Sequence, residues 1–119
     1  MKKTVVIGAS PNESRYSNMA TQRLLNNNHE VVPLGIREGK IANLDIITER
    51  PELSDIHSVT MYVGKQRQAD WYDYILSLNP KRVIFNPGTE NAEFAQILRE
   101  KNIEVVENCT LVMLATSQF

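Results

Sequence analysis

The sequence predicts an α/β fold: a Rossmann-like, doubly wound, mainly parallel five-stranded sheet with helices on both faces. Three observations carry that prediction. Short β-branched runs alternate with helical segments of about ten residues, the rhythm of βαβ units. The first run, Thr4–Ile7, is continuously apolar or β-branched, as a strand buried on both faces must be. Glycine or asparagine follows most of these runs, where a chain leaves a sheet. Right-handed crossovers then make the doubly wound arrangement the default.

The elements follow in order. After Thr4–Ile7, Gly8 opens a turn, and Ser17 is the expected cap of a helix over Asn18–Asn27. Ala20 and Leu24 give that helix an inward face, and Asn28 suits a left-handed stop. Glu30–Leu34 is the second strand and ends at Gly35. A weak strand is expected near Asp45–Thr48, and a short proline-started helix at Pro51–Asp55. Ser58–Val63 is the next strand. Gln68–Leu78 is a helix with Ala69, Tyr72, Ile75 and Leu76 on one side. Arg82–Phe85 is a strand, Asn91–Lys101 a helix with Phe94, Ala95 and Leu98 inward, and Glu104–Val106 the last strand. Leu111–Ala115 closes the chain as an apolar turn or helix.

Composition narrows the function classes. The 119 residues suit one domain, 1–119, with 42% hydrophobic residues and a formal charge of −1. No global field draws nucleic acid or an anionic membrane surface. The apolar run after "MKK" stops at Gly8, too short for a signal or a span. One cysteine, Cys109, leaves no internal disulfide and points to a reducing, cytoplasmic setting. Homo-oligomer and partner protein stay open.

In an open parallel sheet, ligands bind beyond the carboxyl ends of the strands. Four loops lie there. The first, "GASPNESRYS", holds Gly8, Ala9, Ser10, Asn12 and Ser17. Gly8 matches the dinucleotide fingerprint, but Ser10 and Glu13 stand where its other glycines belong. Backbone amides and serine hydroxyls there suit a phosphate held further out. The second loop, Gly35, Ile36 and Arg37, lacks the acid that grips an NAD ribose; an arginine suits a ribose phosphate, carried by both NADP and coenzyme A. "GIREGK" imitates a Walker A loop, but it is one residue short and Ile41 follows the lysine. The third loop, Val63, Gly64 and Lys65, offers an apolar wall, close approach and a cation, with Arg67 as another. The fourth, Asn86, Pro87 and Gly88, makes a turn, with Thr89 as a cap for the next helix.

Catalytic groups are sparse. His29 falls in the turn after the first helix and His57 before a strand, no cluster has metal-ligand spacing, and no serine sits in a nucleophile elbow. Cys109 opens the final helix, where a thiolate gains from the helix end; a buried structural cysteine is the plainer reading.

The stretches "VVIGASPN", "VVPLGIR", "VTMYVG", "NPGTEN" and "ENCTLVML" together resemble the small stand-alone CoA-binding proteins, over essentially the whole chain. These are similar to the nucleotide-binding domain at the start of the succinyl-CoA synthetase α subunit. The resemblance implies a Rossmann-like fold that binds coenzyme A; with the sparse catalytic groups and the single cysteine, the expectation is a cytoplasmic protein that binds coenzyme A or an acyl-CoA without turnover. The resemblance puts the adenosine and phosphate end near Gly8–Ser10, Ser17, Gly35–Arg37 and Val63–Lys65. The domain that carries the synthetase's phosphorylated histidine has no counterpart here. Two alternatives remain: an NADP-binding oxidoreductase module, and an interaction protein that kept the fold and lost the nucleotide, with "LVMLATSQF" as its interface.

Overall fold

Thr4–Ile7 forms β1, and all four residues are buried. Side chains alternate across a strand, so Val5 and Ile7 join one core while Val6 joins another. The computed structural model describes residues 1–119. After β1 come α1 (Tyr16–Asn26), β2 (Val31–Leu34), β3 (Lys40–Ile41), β4 (Leu44–Asp45) and β5 (Ser58–Met61). Two 3-10 turns, Lys65–Arg67 and Ala69–Trp71, lead into α2 (Tyr72–Leu78). The chain ends with β6 (Arg82–Phe85), α3 (Ala92–Glu100), β7 (Glu104–Glu107) and α4 (Thr110–Ala115).

The five-stranded sheet has the order β2-β1-β5-β6-β7. Every pairing in it is parallel, with Thr4 opposite Val31 on one side and Ser58 on the other. Leu24 of α1 and Met113 of α4 pack with Val6 and Ile84 on one face. Ile75 and Leu78 of α2, with Phe94 and Leu98 of α3, pack with Val5, Val59 and Phe85 on the other. Strand order reverses between β1 and β5. That switch parts the connections to opposite faces and opens a crevice at the carboxyl ends.

Several local expectations change. α1 starts at Tyr16, with Arg15 in the cap position and no side-chain cap. Ser17 is buried in the first turn instead of capping it. The reason is an Asn12 turn: Asn12 Oδ1 accepts from Ser14 N (3.0 Å) and Ser14 Oγ (2.7 Å), and Arg15 N donates to Asn12 O (3.0 Å). Asn28 does adopt a left-handed φ of 65°. The weak strand is a hairpin, β3 against β4, followed by a single parallel bridge from Ile47 to Leu34.

Pro51–Asp55 is not helical. It is a strap without regular structure, held at Pro51 O by the Tyr74 hydroxyl (2.7 Å) and ending in a left-handed Asp55 (φ 60°). Gln68–Leu78 winds as α-helix only from Tyr72. Its start is tightened because the buried Gln68 amide reaches inward to Val63 O (2.9 Å) and Thr89 O (2.7 Å). Asn91, not Thr89, caps α3, its Oδ1 accepting from Phe94 N (3.1 Å).

Candidate functional site: a cleft at the strand switch

The carboxyl ends of β1, β2 and β5 frame a cleft of about 710 Å³. Glycines let three chain segments meet at its floor. Gly8 N and Ala9 N both donate to Leu34 O (3.0 and 2.8 Å), drawing the first loop against the end of β2. A Cβ on Gly35 would stand 2.3 Å from Ala9 O. Gly35 is therefore a packing glycine, backed by the first loop where it lines the cleft. Gly8 has a φ of 96°, and a Cβ there would press on the Tyr62 backbone at 3.0 Å.

The first loop and the helix start also leave donors unpaired beside the cleft. Ser10 N, Tyr16 N and Ser17 N have no acceptor within the protein, whereas Asn12 N is used by Ser10 Oγ (3.1 Å). Asn18 Nδ2 holds Ser10 O (2.9 Å), so the loop is braced against its own helix. Unpaired N–H groups at a helix start, aided by the helix dipole, form an anion cradle.

Charge supports the same reading. Arg15, Arg37, Arg50 and Arg67 line the cleft, and Asp70 is the one carboxylate among its lining residues. Asp70 is taken by Arg50 (2.7 Å), while Arg15, Arg37 and Arg67 form no ion pair.

Of the residues singled out from the sequence, Gly8, Ala9, Ser10, Asn12, Ser17, Gly35, Ile36, Arg37 and Val63 line this cleft. Gly64, Lys65, Asn86, Pro87 and Gly88 do not. Lys65 is exposed on the 3-10 turn, and Arg67 two residues later faces the cleft instead. Asn86 is buried structural wiring. Its Nδ2 donates to Thr60 Oγ1 (2.7 Å) and Met61 O (2.9 Å), and its Oδ1 accepts from Thr110 N (2.8 Å). Gly88 is exposed, with its N–H given to Glu90 Oε1 (2.9 Å).

The sequence reading missed Arg15, Tyr16, Arg50, Tyr62, Asp70 and Trp71. Arg15 and Tyr16 were legible as part of the first loop. Arg50 was not, because its strap is placed by tertiary contacts with Asp70 and Trp71, distant in sequence.

The groups suited to proton transfer lie elsewhere or are occupied. His29 and His57 precede β2 and β5, at the amino ends of the sheet, opposite the cleft. Burial, then neighbouring cations, holds both below the usual histidine range. His29 Nδ1 accepts from Lys2 N (3.0 Å), a structural bond. Burial pushes the Tyr62 hydroxyl up to about 12, so it stays protonated at neutral pH. Cys109 is half-buried and does not line the cleft. No group of three or more His, Cys, Asp or Glu is placed to hold a metal ion, and no helix is long and apolar enough to cross a membrane.

Solved structures share this fold. A crystal structure of an uncharacterized protein is 50% identical, with a TM-score of 0.98 over 100% of this chain and 98% of that one. The structure of cell-free ID.343 from Thermus thermophilus is 21% identical, with a TM-score of 0.86 over 99% of this chain and 90% of that one. An oxidoreductase from Bacillus cereus is 20% identical, with a TM-score of 0.61 over 89% of this chain but 34% of that one. The last two show likeness of fold alone. The chain has no match among curated proteins. The family model described as "CoA binding domain" matches residues 2–115, and the chain belongs to that family.

Proposed function

We propose that this protein binds coenzyme A or an acyl-CoA in the cleft at the β1/β5 switch, without chemical turnover. The observation that carries the reading is the donor set. Three unpaired amides and three guanidinium groups without ion-pair partners surround one crevice in a chain whose net charge is −1. The family's ligand carries a diphosphate and a 3′-phosphate, which need such a set. Ser10, Tyr16 and Ser17 amides hold the diphosphate, with Arg15 beside them. Arg37, beyond β2, meets the 3′-phosphate. Ile36 and Val63 are apolar walls. Arg67 takes the role the sequence suggested for Lys65.

Calorimetry tests the reading. CoA binds and NADP binds more weakly or not at all; the reverse order favours the oxidoreductase alternative. Arg37→Ala weakens CoA about tenfold, within the range of a charge-assisted hydrogen bond, and leaves dephospho-CoA nearly unchanged. Equal losses for both ligands remove Arg37 from the 3′-phosphate.

A further inference from the structure

Arg50 is exposed by position but fixed by contact. It sits on the strap after Ile47, with no regular structure of its own. Its Cζ lies 3.8 Å from the centre of the Trp71 ring. Nη1 donates to Asp70 O (2.6 Å) and Nη2 to Asp70 Oδ2 (2.7 Å). Two hydrogen bonds and a stacked indole lock a side chain that normally samples many rotamers. Trp71 is only 8% exposed, while the Arg50 side chain keeps 36% of its surface open. The guanidinium therefore covers the indole, and Arg50 and Trp71 both line the cleft.

The strap also has a fixed neighbour. Ile47 pairs with Leu34, and Ile47 O accepts from Gly35 N (3.0 Å). The chain that carries Arg50 thus leaves from beside the loop that carries Ile36 and Arg37. Ile36 is 83% exposed at that rim, a large apolar side chain with little of its surface covered. Arg50, the uncovered Ile36 and the unpaired Arg37 all line the same cleft, on neighbouring chain segments.

We propose that the Arg50 guanidinium, held over Trp71 by Asp70, is the platform on which the purine base of the bound nucleotide stacks. The assignment rests on the reading of this cleft as a CoA site, and it adds the element that reading leaves unassigned: what holds the base. Guanidinium planes stack well on nucleobases, and preordering the plane removes the entropy that stacking otherwise costs. Arg37 then meets the phosphate on the ribose of that same nucleoside. Stacking reads the flat face of a base and not its edge, so the platform holds the base without choosing among bases and leaves the acyl group free to vary.

The test uses adenosine 3′,5′-bisphosphate, 4′-phosphopantetheine and CoA against the full chain. Trp71 is the one tryptophan, so its emission reports on the platform directly. Adenosine 3′,5′-bisphosphate changes Trp71 emission in the wild type, and phosphopantetheine does not. Arg50→Ala weakens the bisphosphate and CoA about tenfold and abolishes the emission change. Arg50→Lys keeps the charge but loses the plane, and it loses nearly as much affinity. Full affinity in Arg50→Lys shows that charge alone matters and overturns the platform. Equal or tighter binding in Arg50→Ala shows that Arg50 plugs the base site, and overturns it as well. If the wild type binds CoA while both variants match it, only the platform falls. If the wild type binds none of the three, the CoA reading falls and the platform with it.

Discussion

Single residues show how side chains of one type part company on this scaffold. Arg15, Arg37 and Arg67 stay unpaired over the cleft, whereas Arg82 is buried, donating to Ser58 Oγ (2.7 Å) and Phe119 O (2.9 Å). Tyr62 is the other informative residue. Its ring lines the cleft, and its hydroxyl is buried without a well-formed hydrogen bond. Thr60 and Thr110 lie close enough to act on it, but their hydroxyls are paired with each other at 2.8 Å. A buried hydroxyl with no partner costs about 1–3 kcal/mol in desolvation. Tyr62→Phe is therefore predicted to leave stability unchanged or raise it by about 1 kcal/mol, read by urea denaturation. A loss of that size instead shows that the hydroxyl is bonded in solution. Arg37 was legible from the sequence because its place, just past the second strand, has a chemical meaning in this topology. Arg50 has no such local address, and only its contacts with Trp71 and Asp70 reveal it.

Elements were legible where one local signal decided them. β1 read correctly because burial on both faces leaves a continuous run of apolar or β-branched residues. The start of α1 did not, because the Asn12 turn pre-empted the serine expected to cap it. The strap at Pro51–Asp55 misled because a proline permits a helix start without requiring one. Loop packing at the switch makes a sharper prediction. Gly35→Ala sets a methyl group 2.3 Å from a backbone oxygen that the first loop cannot easily move. It should cost about 2–3 kcal/mol by overpacking and displace the amides of the anion cradle. Denaturation and CoA titration of the same variant check both effects. An alanine variant as stable as the wild type shows that the seam between Ala9 and Gly35 is loose.

At the scale of the whole molecule, function follows from strand order. A sheet ordered β2-β1-β5-β6-β7 has one place where neighbouring connections diverge, and the donors, the arginines and the platform all gather there. The fourth loop follows β6, one strand beyond that switch, which explains why Asn86, Pro87 and Gly88 lie outside the cleft although they too stand at a strand's carboxyl end. Reading loops by strand end alone brought them in; knowing the strand order removes them. The histidines occupy the opposite end of the sheet, which separates them from the cleft. Amide chemical-shift mapping during a CoA titration tests the account most directly. The largest shifts are expected at Ser10, Tyr16, Ser17 and Arg37, with His29, His57 and Asn102 at the far end unmoved. Shifts confined to that far end, or none at millimolar CoA, would contradict it.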